Sequence, residues 1–544
     1  MRSTVNYMLK SLAERAAAIL LLCVLAAGAF CGCGKRHEQE QPTETAAPSP
    51  TAVQTFEPEA GGTLRIAMPV NAPYSDPLQV TTEEMLYLFS LVYDSLLKVT
   101  HSGELEPALC ESWTGDGTGR WILQLRSGVK WHDGSGELRA QDVVSTYQAL
   151  VAMEDSYYKP CLEHLRLIYA VDDRTLCAIT DIPGIIGLYS LTFPIRRSAP
   201  LVGTGAYMLD YLNDTTIKLK VNEDWWDKRP YIANVIFAER DSNTTALASY
   251  EAGQLNIVPT DIVTAGKYRV EGTTNVYDVM TQNMEALLFN HARSVFSDSR
   301  LRLAVAHGIN RSPIITNVYS NKARAADVPI APDNWLYDSR SAVLNYDPEA
   351  AAALVEEAGF TVVSSVEDGL RYSRAGSSLA VRLLTSATTE NTIRSDAANM
   401  IASQLKEFGF RVEVVTKVHT LGDPQSEFIT ALLEGDWDMA LVGFNLGFGY
   451  DLSAYLNENG ANNYGRISDP ALSALAEELT KVQTEEELRE AAYALQSGFV
   501  ESVPFLPLYF RLNSVICSAQ LHGVENAREP MLFADEKNWY FIKD

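Results

Sequence analysis

Residues 121–131 carry Trp121, Leu123, Leu125, Val129 and Trp131 at alternating positions around the short break "RSGVK". Large apolar side chains at period two lie on one face of extended chain, so the run predicts a strand pair with one buried side, turned at that break. "HDGSGEL" (132–138) follows with two glycines and reads as a turn. "RAQDVVSTYQALVA" then opens a helix. A strand, a loop and a helix within thirty residues restrict this region to a mixed α/β arrangement. The run also contains His132 beside Asp133, which has the look of a catalytic pair. Neighbours at a strand end point to opposite faces, and Asp-Gly is turn chemistry, so the pair reads as scaffold.

The same switching of period recurs along the chain. "GGTLRIAMP" (61–69) reads as a first strand, and "EEMLYLFSLVYDSLLKV" (83–99) as a helix with a strand-like exit. "TGAYMLDYLNDTTIKLKVN" (204–222) alternates as strands do. "SNTTALASYEAGQLNIV" (242–258) is a helix, a glycine stop and a strand. "DPEAAAALVEEAGF" (347–360) is a helix capped by Gly359, and "LAVRLLTS" (379–386) a strand. Residues 392–418 give a long helix ending at Gly409 and then a strand, and "DWDMALVGF" (436–444) is another strand. The fold class is α/β with mixed sheets. At 544 residues the chain exceeds one ordinary domain.

Catalytic signatures are missing from this pattern. There is no P-loop, no H-E-x-x-H and no G-x-S-x-G. "GDGTG" (115–119) precedes a strand, so it reads as a hairpin turn and not as a phosphate cradle. No two histidines stand at i, i+4, and no cysteine spacing suggests zinc. The expectation is no catalytic residue, no metal and no cofactor. A net charge of −25 argues against a nucleic-acid partner, which needs clustered Lys and Arg.

The N-terminus predicts export. Arg2, Lys10 and Arg15 accompany the apolar run at residues 16–30, too short for a comfortable membrane span and suited to a signal peptide. The run ends in "FCGCG", which resembles a bacterial lipobox, with Gly32 before Cys33 as the cleavage point. Cys33 is the expected lipid attachment site and residues 1–32 the signal. Residues 33–60 form a polar, proline-bearing tether. Its reach is roughly 30 Å by flexible-chain scaling. Loss of the signal leaves 41 basic residues against 68 acidic ones, so lipid and not charge would hold the protein to a membrane. Cys110, Cys161, Cys177 and Cys517 remain, with room for one disulfide and no spacing that names its partners.

"LVYDSLLKVTHSGELEPALCESWT" and "WILQLRSGVKWHDGSGELRAQDVVSTY" resemble the family 5 solute-binding proteins of ABC importers. The resemblance continues at "VGTGAYML" (202–209), "NEDWWDKRPYIANVIF" (222–237), "FSDSRLRLAVAHGINR" (296–311) and "GDWDMALVGF" (435–444). It implies a two-lobed, periplasmic-binding-protein-like fold with an extra subdomain. Residues 61–99, 199–285 and 511–544 would form the first lobe, 100–198 a region packed on it, and 286–510 the second lobe. It implies a monomeric receptor, lipid-anchored to the bacterial cell membrane outside the cytoplasm. That receptor would trap a peptide or related small solute between lobes and pass it to permease and ATPase subunits.

Peptide receptors of the family carry an aspartate after a strand like "DWDMALVGF" that pairs with the peptide α-ammonium. Aligned on Ala454-Tyr455-Leu456, that position falls here on Phe448, and Asp451 matches a second aspartate. Loss of a charge-assisted anchor puts a free amino end in doubt as the recognised feature. Phe444, Phe448 and Tyr450 instead suggest an aromatic cleft wall, which Asn445, Asp451 and Asn290 join as candidate ligand-binding residues.

Overall fold

The computed structural model describes residues 58–542 apart from 71–73, 81, 83, 198, 341–342, 363–370, 374–375, 377, 389–390, 421 and 448. The signal, Cys33, residues 34–57 of the tether and Phe448 lie outside the described residues.

Three principal sheets organise the chain. In the first, Thr63–Pro69 runs parallel to Asn234–Arg240, and Thr216–Val221 and Tyr207–Asn213 continue antiparallel. Leu64, Ile66 and Met68 alternate onto its buried face. They meet the helix Glu84–Val92, whose apolar residues are nearly all buried. A helix apolar all round is buried all round.

The second sheet is antiparallel, in the order Cys110–Gly115, Arg120–Leu125, Thr175–Thr180, Leu165–Ala170. Trp121, Leu123, Leu125, Val129 and Trp131 are all buried, as their alternation predicts. The pairing differs from expectation. Arg120–Leu125 pairs with the strand before it, through the 115–119 turn, and not across "RSGVK". Lys130 makes only an isolated bridge to Glu137. Alternation fixes which face is buried, while the partner depends on which neighbouring edge is available.

The third sheet joins distant parts of the chain. Its order is Ile257–Thr260, Phe505–Ser518, Thr274–Phe289, Met439–Asn445, Ala380–Ala387, Arg411–Val418, and Ala323–Ala325 also pairs with Phe505–Ser518. Two strands in it are very long. Thr274–Met280 pairs with Leu512–Ser518 and Met284–Leu288 with Phe505–Phe510, and the register shifts between the two halves. Thr281 Oγ1 donates to the Arg511 carbonyl at 2.8 Å within the shift. One half packs Val276 and Ile516 into a cluster with Ala246 and Leu255. The other half packs Leu287, Phe289, Leu506 and Leu508 among Val305, Leu383 and Ile401. The expected borders at 285/286 and 510/511 therefore fall inside continuous strands. Cys110, Cys161, Cys177 and Cys517 are free thiols.

Candidate functional site

Ala380–Ala387 is parallel to both Arg411–Val418 and Met439–Asn445, so all three strands end on one edge of the third sheet. Carboxyl ends of parallel strands leave a crevice where loops diverge, the usual ligand position in open α/β sheets. A cavity of about 130 Å³ opens there, lined among others by Glu285, Ser386, Arg394, His419 and Arg511.

Arg394 stands in the first turn of the helix Ile393–Lys406. Its Nε and Nη2 donate to the two Glu285 carboxylate oxygens at 2.8 and 2.9 Å, and Nη1 donates to Ser386 Oγ at 2.8 Å. This is the bidentate fork that matches guanidinium to carboxylate. Burial works against the Arg394 charge, but the Glu285 carboxylate outweighs it and raises the pKa. The pair needs Gly443, because a Cβ there would overlap Arg394 Nη2. Burial, then Arg394, lowers the pKa of His419. Among the described residues no carboxylate pairs with Arg511, which leaves the cavity with an excess positive charge.

The segment after Met439–Asn445 leaves the same edge. Phe444 is 8% exposed and faces the core, edge-on to Tyr455 at 5.1 Å and stacked over Tyr464 at 6.5 Å. Asn445 Oδ1 accepts from Gly447 N at 3.1 Å and closes a local turn. Tyr450 has φ of 50°, and this left-handed kink turns its ring toward the second sheet's region. Tyr450 Oη donates to the Gly103 carbonyl at 2.9 Å and accepts from Asn334 Nδ2 at 2.6 Å. Burial pushes the phenol up to about 12. Tyr189 meets the Tyr450 ring edge-on at 5.2 Å, and its own hydroxyl donates to the Gly103 carbonyl at 2.8 Å. Gly103 admits this approach because a Cβ would overlap Tyr450 Oη.

Asp451 is already occupied. Oδ1 accepts from Ser453 N at 2.8 Å, and Oδ2 lies 3.1 Å from His164 Nε2. Burial raises its pKa, but the His164 and Ser453 hydrogen bonds win and the net shift is downward. Asn290 is not brought to this edge. It is 1% exposed near the amino end of Met439–Asn445, where Nδ2 donates to the Gly435 and Trp437 carbonyls at 3.0 Å. Its Oδ1 accepts from Ala292 N at 3.2 Å, so its polar atoms serve the backbone there. His132 and Asp133 are scaffold. His132 Nδ1 accepts from Gly203 N at 3.3 Å, Nε2 bonds the Gly205 carbonyl at 3.0 Å, and Asp133 Oδ1 accepts from Ser135 N at 2.9 Å. Burial lowers the His132 pKa and keeps the ring neutral.

Sequence reasoning missed Glu285, Arg394, His419 and Arg511. A charged residue in the first turn of a helix that follows a strand end was the available signal for Arg394. Glu285 and Arg511 carried none, because 226 positions separate them and only the pairing of the long strands brings them together.

Residues 104–465 match the bacterial extracellular solute-binding proteins, family 5. The oligopeptide-binding protein AppA of Bacillus subtilis (strain 168) is 23% identical over 516 residues, covering 89% of this chain and 92% of that protein. The nickel-binding periplasmic protein of Escherichia coli (strain K12) is 22% identical over 430 residues, covering 72% and 77%. The unliganded open form of MppA, a periplasmic murein tripeptide binding protein, superposes with a TM-score of 0.75 at 19% identity, covering 89% and 98%. These relatives bind solutes and are not enzymes. With its α/β sheets, its cavity at the strand ends and this match, the chain belongs to the bacterial extracellular solute-binding proteins of family 5.

Proposed function

We propose that this protein is the lipid-anchored receptor subunit of an ABC importer and captures peptides between two lobes. The long strands Thr274–Phe289 and Phe505–Ser518 are the crossings about which the lobes bend. Cys33 carries the lipid, residues 34–60 are the tether, and permease and ATPase subunits receive the solute. Incorporation of labelled palmitate that survives Cys33→Ala would remove the anchor from this reading.

One observation carries the choice of solute: among the described residues, the cavity at the carboxyl edge holds Arg511 without a carboxylate partner beside the satisfied Glu285–Arg394 pair. A group of excess positive charge in a crevice suits the carboxylate end of a peptide. Recognition of the anionic end is in keeping with an Asp451 whose oxygens are already bonded. Calorimetry with trialanine and its C-terminal amide tests it. Amidation, or Arg511→Ala with the free acid, is expected to weaken binding about 10- to 100-fold, the range for loss of a charged hydrogen-bond partner. Equal affinity for acid and amide rules out the anionic anchor. Absence of peptide binding, with a non-peptide solute identified by mass spectrometry of the purified protein, rules out the peptide class.

A further inference from the structure

A second cavity, of about 100 Å³, shares no lining residue with the strand-end cavity among the described residues. Its walls come from the helix Glu84–Val92 and the residues after it, from the 225–227 loop and from the segment 531–537. Phe89, Tyr93, Trp225, Trp226 and Phe533 make these walls largely aromatic. Tyr93 is 4% exposed, and its hydroxyl has no hydrogen-bond partner.

Asp94 and Glu536 also line the cavity, both half-buried and so open to solvent. Asp94 spends one oxygen only. Its Oδ2 accepts from Trp226 Nε1 at 2.8 Å, Thr204 Oγ1 at 2.9 Å and Trp225 Nε1 at 3.4 Å. Its Oδ1 accepts no hydrogen bond among the described residues, and there the Glu536 carboxyl bonds no other residue. The cations nearby have other partners. Lys98 Nζ lies 3.2 Å from Glu106 Oε2, and Lys537 Nζ lies 2.6 Å from Asp227 Oδ2. Arg126 sits over the Trp226 ring at 4.6 Å and donates to the Ala108 carbonyl. The cavity is thus lined by three acidic groups, Asp94, Asp227 and Glu536, against two lysines. Burial raises the Asp94 pKa, and burial with the Asp94 charge pushes Glu536 up to about 8. Carboxyl groups held against aromatic walls without a cation of their own favour a cationic guest.

We propose that this cavity binds the primary ammonium group of a small amine, whose N–H groups donate to Asp94 Oδ1 and the Glu536 carboxylate while its carbon chain lies against the aromatic walls. An ammonium group has three donors and no acceptor, which matches a site offering acceptors. Aromatic rings attract such a cation, whereas a divalent metal asks for about six oxygen ligands. A cavity of about 150 Å³ holds benzene, so this one suits about four non-hydrogen atoms. Binding displaces the Glu536 proton to solvent. Affinity therefore rises as pH rises through about 8, while an alkylammonium, with a pKa like that of lysine at about 10.4, stays charged.

The test is calorimetry of the purified full-length protein with propylammonium chloride at constant ionic strength. This probe has no carboxylate, so its binding does not depend on Arg511, and the result stands apart from any error in the solute class. Affinity is expected to be about 10-fold or more tighter at pH 9 than at pH 6.5, because the ionised fraction of Glu536 grows by more than that. At pH 7, titrations in two buffers of different ionisation enthalpy should show close to one proton released per amine bound. Glu536→Gln keeps the shape of the protonated side chain that predominates at pH 7. It is expected to fold as the wild type does, to bind about 10-fold or more weakly at pH 9 and to lose the pH dependence. Tetramethylammonium, a cation without N–H groups, should bind about 10-fold or more weakly than propylammonium. Absence of saturable propylammonium binding by the wild type at pH 9 overturns the site without any variant. So does an unchanged affinity in Glu536→Gln, or equal affinity for the two cations.

Discussion

At the residue scale the clearest surprise is how much polar chemistry the site spends on itself. The Glu285–Arg394 fork is the best case. Glu285 keeps 5% and Arg394 24% of its side-chain exposure, so removing either leaves the other poorly solvated. Breaking a buried pair by removing one partner costs about 3–5 kcal/mol, and the partial exposure of Arg394 lowers the figure to about 2–4 kcal/mol for Glu285→Ala. Urea denaturation of both single variants and the double variant checks this. The double variant is expected to be more stable than the sum of the single losses implies. Strict additivity would show that the two side chains do not support one another. Asp451 teaches the same lesson in reverse. From sequence it matched the family's second aspartate while Phe448 fell on the amine-anchoring position, and the His164 contact could not be foreseen because 287 positions separate His164 and Asp451.

At the element scale most of the organisation was legible. The helix Pro348–Glu357 begins with Asp347 accepting from the Glu349 and Ala350 amides and is followed by Gly359 at φ of 89°, both visible as sequence punctuation. The helix Asn243–Glu251 starts at Ser242, and the strand-like stretch 204–222 resolves into the hairpin Tyr207–Asn213 and Thr216–Val221. Pairing was less legible. Trp121, Leu123 and Leu125 were placed on a buried face, yet their strand took the edge of Cys110–Gly115 and not the stretch after "RSGVK". The strand order of the third sheet brings Phe505–Ser518 between two segments from the middle of the chain, and no local pattern announces that.

At the scale of the whole molecule the two long strands link separate parts of the core. Each is covalently continuous across the register shift between Met280 and Met284, and each contributes to separate apolar clusters on either side. In the proposed receptor, bending concentrated where the ladder is irregular would leave these two clusters packed. Small-angle scattering is expected to show a smaller radius of gyration at solute saturation than without solute. An unchanged radius with binding confirmed by calorimetry would count against a moving cleft. The sequence by itself determined the α/β class, the buried faces and the scaffold role of His132 and Asp133, because periodicity and turn chemistry act over a few residues, and the family followed from the resemblance of its motifs. Only the tertiary structure decided that Phe444 belongs to the core, that Asn290 holds backbone far from the strand-end edge, and that Arg394 and Arg511 meet in one cavity. Those outcomes depend on contacts between residues far apart in the chain, where packing and charge neutralisation, not local pattern, select the partner.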